Sequence, residues 1–302
     1  DDFYTGSIAA LFGGTTTLID FVTPSKTQSL VLALNERKKE AEKAICDYSF
    51  HVSPISWTSN TEQEIKDCIK SGITSFKVYL AYKNSVGLDY DNLYKVMKVV
   101  GNAGGLVTIH CEDGDKVDEL RDKYASENKL SPLYHAKSRP AELEALAVQK
   151  SIELAAKANC AIYIVHVSSR LSLEHISKAQ QSGQKVYAET CPHYLLLDES
   201  RYEGEFEKTA AFVISPPLRK IEDQNALWEA LSNGTIQTVG TDHCPFNFKQ
   251  KAAGENDFRK IPNGAGGIEH RLSLLYSFGV LQNKISLNKW VDLCSTSPAK
   301  IF

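Results

Sequence analysis

Four residues of this chain could do chemistry together: Lys77, His110, His166 and Asp242. Lys77 stands inside the run Ser75-Phe76-Lys77-Val78-Tyr79-Leu80-Ala81-Tyr82, flanked on both sides by apolar and aromatic residues, with Gly72 and Gly87 beyond its ends. That pattern reads as a buried β-strand with a lysine in its middle. Burying an unpaired ammonium is strongly unfavourable, so such a group tends to give up its proton. A neutral, desolvated amine can add carbon dioxide to form a carbamate, an anionic oxygen ligand able to bridge two metal ions. The competing reading is a lysine near a strand end whose ammonium reaches back to water. Three further runs favour the first. Residues 106–109 lead into His110, residues 161–165 into His166, and residues 236–241 into Asp242 and His243. Each is a short apolar stretch ending on a side chain that binds metals or moves protons. A single histidine at a strand end is usually structural, but two histidines, an aspartate and a buried lysine in one register form a set.

Positioning such a set requires strands that all deliver their ends to one place. Main strands are expected at 15–21, 49–54, 75–82, 106–111, 161–167, 185–190 and 235–241. Between them lie helical segments: 27–45, 61–70 with Thr61 and Glu64 spaced as a capping box, 90–102, 140–159, 171–182 and 222–233. A short helix over 3–13 precedes the first strand, and helices over 267–281 and 286–293 follow the last. A polar insertion fills 113–138, and a loop rich in Gly, Lys and Asn fills 244–266. Strand–helix alternation of this kind argues for parallel strands with crossover helices. The expected fold is α/β, a TIM-like (β/α)8 barrel whose first strand would lie before Asp1. In such barrels the chemistry sits at the C-terminal ends of the strands. An open doubly wound sheet is the alternative, but it gathers ligands at one switch point rather than along the whole chain.

Length and composition agree. With 302 residues the chain can bury one barrel-sized core, and 42% apolar with 24% charged residues is an ordinary globular profile. A net charge of −3 gives no electrostatic reason to expect nucleic acid or an anionic membrane as partner. No apolar run approaches a membrane span. Seven cysteines without a C-x-x-C pair argue against a disulfide framework or zinc knuckle, and for a reducing, cytoplasmic compartment. The chain opens on Asp1-Asp2-Phe3 and stops on Ile301-Phe302, which reads as the middle of a longer protein.

Local motifs narrow the reading: His110-Cys111-Glu112-Asp113-Gly114-Asp115, Val165-His166-Val167-Ser168-Ser169, Glu189-Thr190-Cys191-Pro192-His193-Tyr194-Leu195, Ser215-Pro216-Pro217-Leu218-Arg219 and Gly240-Thr241-Asp242-His243-Cys244-Pro245-Phe246. Together they closely resemble the dihydropyrimidinase/hydantoinase family of cyclic amidohydrolases, over nearly the whole chain. The resemblance implies two zinc ions per subunit bridged by a carboxylated Lys77, with His110 and His166 on the second metal. Asp242 would bind the first metal and shuttle a proton, and Tyr82 would donate to the oxyanion. Ser215 and Asn263 would hold a small cyclic amide, largely through main-chain groups. It also implies a further small β-sandwich domain outside residues 1–302 and a homotetramer for the full-length protein. The family's His-x-His pair at the end of the first strand has no counterpart here.

The implied reaction is hydrolytic ring opening, such as 5,6-dihydrouracil to N-carbamoyl-β-alanine in pyrimidine degradation. D-hydantoinase, allantoinase and dihydroorotase activities are the alternatives among enzymes. The alternative from another class is a non-catalytic scaffold like the collapsin-response mediator proteins, which have lost metal ligands; the presence of all four residues weighs against it. His51, His135, His175 and His270 match no ligand position, whereas His193 and His243 could orient ligands. Cys111, Cys191 and Cys244 read as packing residues, and Arg219 either answers a negative charge or fixes its own loop.

Overall fold

The computed structural model describes residues 1–302. Seven strands form one sheet in chain order: β1 (Thr17–Val22), β2 (Asp47–Val52), β3 (Ser75–Tyr79), β4 (Leu106–His110), β5 (Ala161–Ile164), β6 (Val186–Thr190) and β7 (Thr238–Val239). All neighbouring pairs are parallel, so every C-terminal end lies on one side. Register places Lys77 opposite Thr108 and Tyr79 opposite His110. The result is a curled sheet wrapped by helices, a (β/α)8 barrel short of one strand. Its two ends, β1 and β7, are not paired with each other. Arg271 spans that gap, donating to the Val239 carbonyl (2.8 Å) and to Thr15 Oγ1 (3.1 Å).

The helices are α1 (Phe3–Phe12), α2 (Leu30–Ala41), α3 (Thr61–Lys70), α4 (Tyr90–Asn102), α5 (Gly114–Ser126), α6 (Pro132–Lys137), α7 (Ala141–Ala158) and α8 (Arg170–Gln181), followed by shorter pieces and the helix Ile221–Asn233. Several begin where a polar side chain satisfies an orphan amide: Ser29 accepts from Leu32 in α2, Asp89 from Asn92 in α4, and Ser169 from Ser172 in α8. The capping box expected at Thr61 and Glu64 is not formed. Asn60 is the cap residue of α3, and the Glu64 carboxylate instead accepts from the Leu30 amide (2.8 Å), tying α3 to the start of α2. The polar insertion at 113–138 is also more ordered than its composition suggests, because Asp113 caps α5 and Pro132 starts α6.

One connected core of 53 buried apolar residues lies between sheet and helices. Side chains alternate across a strand, and Phe76 and Val78 belong to that core. Ser75, Lys77 and Tyr79 therefore face the concave side. Leu106, Tyr163 and Val165 form a small second cluster, packed with Phe302. No helix is long and apolar enough to cross a membrane.

Candidate active site

Lys77 is only 2% exposed and forms neither an ion pair nor a hydrogen bond. Its Nζ stands 5.3 Å from the Phe21 ring centre and 4.9 Å from that of Tyr79. Burial pulls its pKa down to about 8, with Asp242 and Glu189 opposing the shift. The neutral amine is thus within reach near physiological pH. Burial at 2% exposure also excludes the competing reading of an ammonium that reaches back to water.

The strands stop slightly short of the expected boundaries, and the candidate residues follow on the turns. β3 ends at Tyr79 rather than Tyr82, and β5 at Ile164, two residues before His166. Tyr82, His166 and Asp242 all take left-handed backbone, with φ of 62°, 40° and 44°. Such conformations are costly for residues with a Cβ and cluster where a side chain must be aimed.

His110 and His166 are buried, and His110 Nδ1 lies 2.9 Å from His166 Nε2. The other nitrogen of His110, Nε2, bonds the Glu112 carboxylate at 2.7 Å. That network assigns the proton to Nε2 and leaves the Nδ1 lone pair pointing at His166. Burial pushes the His166 pKa well below its ordinary value, with His110 and Lys77 adding to the shift, so its imidazole is neutral. His166 Nδ1 is buried without a partner. Two imidazoles with facing nitrogens 2.9 Å apart suit one metal, since bonds of about 2.0–2.1 Å meeting at roughly a right angle give that separation. No three His, Cys, Asp or Glu side chains converge closely enough to hold a metal by themselves. The fit therefore rests on the histidine pair, with Lys77 and Asp242 as neighbours.

Asp242 lies close enough to Lys77 and His110 to interact with both. Burial raises its carboxyl pKa against their pull, but its surface stays exposed, and water reaching that surface relieves part of the rise. Tyr82, half-buried, has its ring 5.4 Å from that of His110, and its hydroxyl lies by the side chains of Ser215 and Asn263. Asn263 Nδ2 in turn donates to Ser215 Oγ at 3.0 Å. Burial lifts the Tyr82 pKa, and Arg139, whose guanidinium sits 5.4 Å over its ring, opposes this. All seven sequence-derived residues thus gather around the C-terminal side of the sheet.

Sequence reasoning missed the groups behind them. Glu112, 1% exposed, accepts from both His110 and Arg139, itself 2% exposed. Arg219 donates to the Arg139 carbonyl and pairs with the buried Glu144 (3.0 Å), so it fixes its own loop against α7 and α8. Glu189 accepts from Tyr163 Oη (2.8 Å) and faces Lys77; burial raises its pKa. Glu112 and Glu189 each stood inside a quoted motif, two residues from His110 and four from His193. Other expectations change. Cys244 is exposed rather than packed, while Cys111 and Cys191 are buried. His243 donates to Asp1 (2.9 Å) and accepts the Gly267 amide (3.0 Å), so it holds a loop and touches no candidate ligand. His193 has a buried, unpartnered Nε2, and burial pulls its pKa down to about 3.

A parallel curled sheet carrying a buried lysine, paired histidines and an aspartate at its C-terminal rim defines a hydrolase type of (β/α)8 barrel. The model of the amidohydrolase family matches residues 1–302, and the chain belongs to that family. Its relatives narrow the group. D-hydantoinases of Geobacillus stearothermophilus and Ralstonia pickettii are 44% and 42% identical, over 100% of this chain and 65% and 66% of theirs. The solved dihydropyrimidinase of Brevibacillus agri superposes with a TM-score of 0.97 at 44% identity, covering 100% of this chain and 67% of that one. The D-hydantoinase (dihydropyrimidinase) of Thermus sp. gives 0.98 at 37% identity, with 100% and 66% covered. These are the dihydropyrimidinases and hydantoinases that the motifs resemble. The chain spans about two thirds of the length of these relatives, 65–67%.

Proposed function

We propose that this chain carries most of the active site of a zinc-dependent cyclic-amide hydrolase that opens dihydropyrimidine or hydantoin rings, dihydrouracil foremost. The observation that carries the reading is Lys77: buried, unpaired, drawn toward neutrality, and turned to the same face as His110, His166 and Asp242. A carbamate on Lys77 would add an anionic oxygen ligand beside Asp242 and Glu189, suited to holding two zinc ions. His110 through Nδ1 and His166 through Nε2 would hold one zinc, with Asp242 on the other. Bound there, zinc supplies Lewis-acid chemistry, making water a nucleophile at neutral pH.

The chain's own groups then account for grip and proton transfer. Four carbonyls around Ser215 are taken: Phe212 by Tyr202, Val213 by Lys251, Ile214 by His135 and Pro216 by Tyr194. The Ser215 carbonyl and the Asn263 amide are bonded to nothing within the chain. An acceptor and a donor left free side by side match the N–H and C=O of a cyclic amide. Tyr82 Oη donates to the carbonyl oxygen as it gains charge, the kind of preorganised contact that dominates such reactions. Asp242 takes a proton from the attacking water and passes it to the leaving ring nitrogen.

The test is a metal count together with hydrolysis assayed on dihydrouracil, hydantoin, allantoin and dihydroorotate. Two zinc ions with turnover of dihydrouracil or hydantoin supports the reading. A protein with wild-type Lys77 that binds no metal and opens none of the rings overturns it.

A further inference from the structure

Lys251 is a second buried lysine that the proposed chemistry does not use. It ends the short helix Phe248–Lys251 in the 244–266 loop and is 3% exposed. No carboxylate pairs with it. Its Nζ donates to the Val213 carbonyl at 2.8 Å and to the Pro262 carbonyl at 3.1 Å, with the Phe246 ring 5.9 Å away. A buried ammonium with only carbonyl partners is a poor choice for stability, because an apolar residue would avoid the desolvation cost.

What those carbonyls belong to explains the choice. Val213 lies two residues before Ser215, and Pro262 lies one before Asn263. The Val213 carbonyl also accepts the Gly264 amide at 3.1 Å. Asn263 is therefore bracketed: Pro262 and Gly264 are both bonded into the Val213 position, one through Lys251 and one directly. Gly264 completes the approach, since a Cβ there would stand 2.4 Å from the Cys244 carbonyl, at a φ of +151°. The two segments share no sheet hydrogen bonds; beside the side-chain bond from Asn263 Nδ2 to Ser215 Oγ (3.0 Å), this bracket holds the main-chain spacing between the free Ser215 carbonyl and the free Asn263 amide.

We propose that Lys251 is a positioning residue that fixes the distance between the Ser215 carbonyl and the Asn263 amide, and so sets the fit of the cyclic-amide ring. This rests on the reading of Ser215 and Asn263 as the groups that hold the substrate. Burial pulls the Lys251 pKa down to about 8, against the nearby Cys244 thiol, and both charge states can donate the two hydrogen bonds. The role is geometric rather than electrostatic.

The experiment is steady-state kinetics on dihydrouracil and hydantoin with the zinc-loaded protein. Lys251→Met removes both donors, and we expect KM to rise about tenfold, the loss of roughly one net hydrogen bond of grip. We expect kcat within about threefold of wild type and an unchanged zinc count, because the metal-side groups are untouched. Lys251→Gln, which can donate to only one of the two carbonyls, should raise KM by a smaller factor, about threefold, and serves where the Met variant does not fold. A merely structural lysine would lower the melting temperature and leave KM alone. A folded variant of either kind with wild-type KM overturns the proposal. Asn263→Pro, which removes the free amide, separates the two levels. If it raises KM while the Lys251 variants do not, only the positioning role falls. If it too leaves KM unchanged, the substrate-binding reading fails with it.

Discussion

Glu112 offers the sharpest test of how the histidine pair is prepared for a metal. Its carboxylate is buried, and one oxygen, Oε2, serves both His110 Nε2 and Arg139 Nη1. Burial alone would raise its pKa, but the Arg139 guanidinium and the His110 hydrogen bond more than offset it and hold the group at about 2. Because the folded value lies below the unfolded one of 4.5, the pair stabilises the fold above about pH 4.5. That contribution is lost as the pH falls from there toward 2. The difference corresponds to about 3 kcal/mol, comparable to the roughly 3–5 kcal/mol expected when one partner of a buried ion pair is removed. Glu112→Gln should therefore cost about that much in urea unfolding at pH 7 and flatten the acid limb between pH 4.5 and 2. It should also free the His110 tautomer, weakening zinc binding about 10–100-fold in competition with a chelator. Adding Arg139→Met removes the stranded cation and should recover stability without recovering zinc affinity. A folded Glu112→Gln protein that binds zinc with wild-type affinity would refute the reasoning.

Tyr82→Phe should leave zinc content unchanged and lower kcat by about 2–4 kcal/mol of transition-state stabilisation, and an unchanged kcat removes Tyr82 from the mechanism. Lys77→Arg keeps a positive charge and cannot form a carbamate, so metal analysis of the folded protein should find the two-metal site gone. Lys77→Ala leaves a gap instead, and acetate or propionate at high concentration should restore part of the zinc content. Two metals retained in the arginine variant would show that Lys77 is not a ligand.

The parts legible in sequence were those whose signal is local. A lysine between Phe76 and Val78 contradicts its own surroundings, and that contradiction pointed to the centre of the candidate site. Seven apolar runs gave the seven strands, and the histidines and aspartate just past them gave the rim. What stayed hidden depends on contacts between distant segments. Nothing near Glu112 announces Arg139, 27 residues on. Glu64 looked like a cap for its own helix because spacing cannot show that the Leu30 amide, 34 residues earlier, is the stronger claimant. The Ser215 main chain could be named only through the family resemblance, and why its carbonyl is free lay hidden for the same reason. It stands out only once Tyr202, Lys251, His135 and Tyr194 are seen to occupy its neighbours.

The left-handed backbone at Tyr82, His166 and Asp242 has a consequence for selection. At each of these positions glycine would suit the main chain better, by about 1–2 kcal/mol for a residue such as tyrosine. Tyr82→Gly gives up only a half-buried side chain in return, so part of what it loses in packing comes back as relaxed backbone. A laboratory lineage selected for heat resistance alone would thus lose less by giving up Tyr82 than its size suggests, whereas His166, 3% exposed, would leave a void behind it. Pairing each heating step with a demand for turnover is what would keep Tyr82 in place.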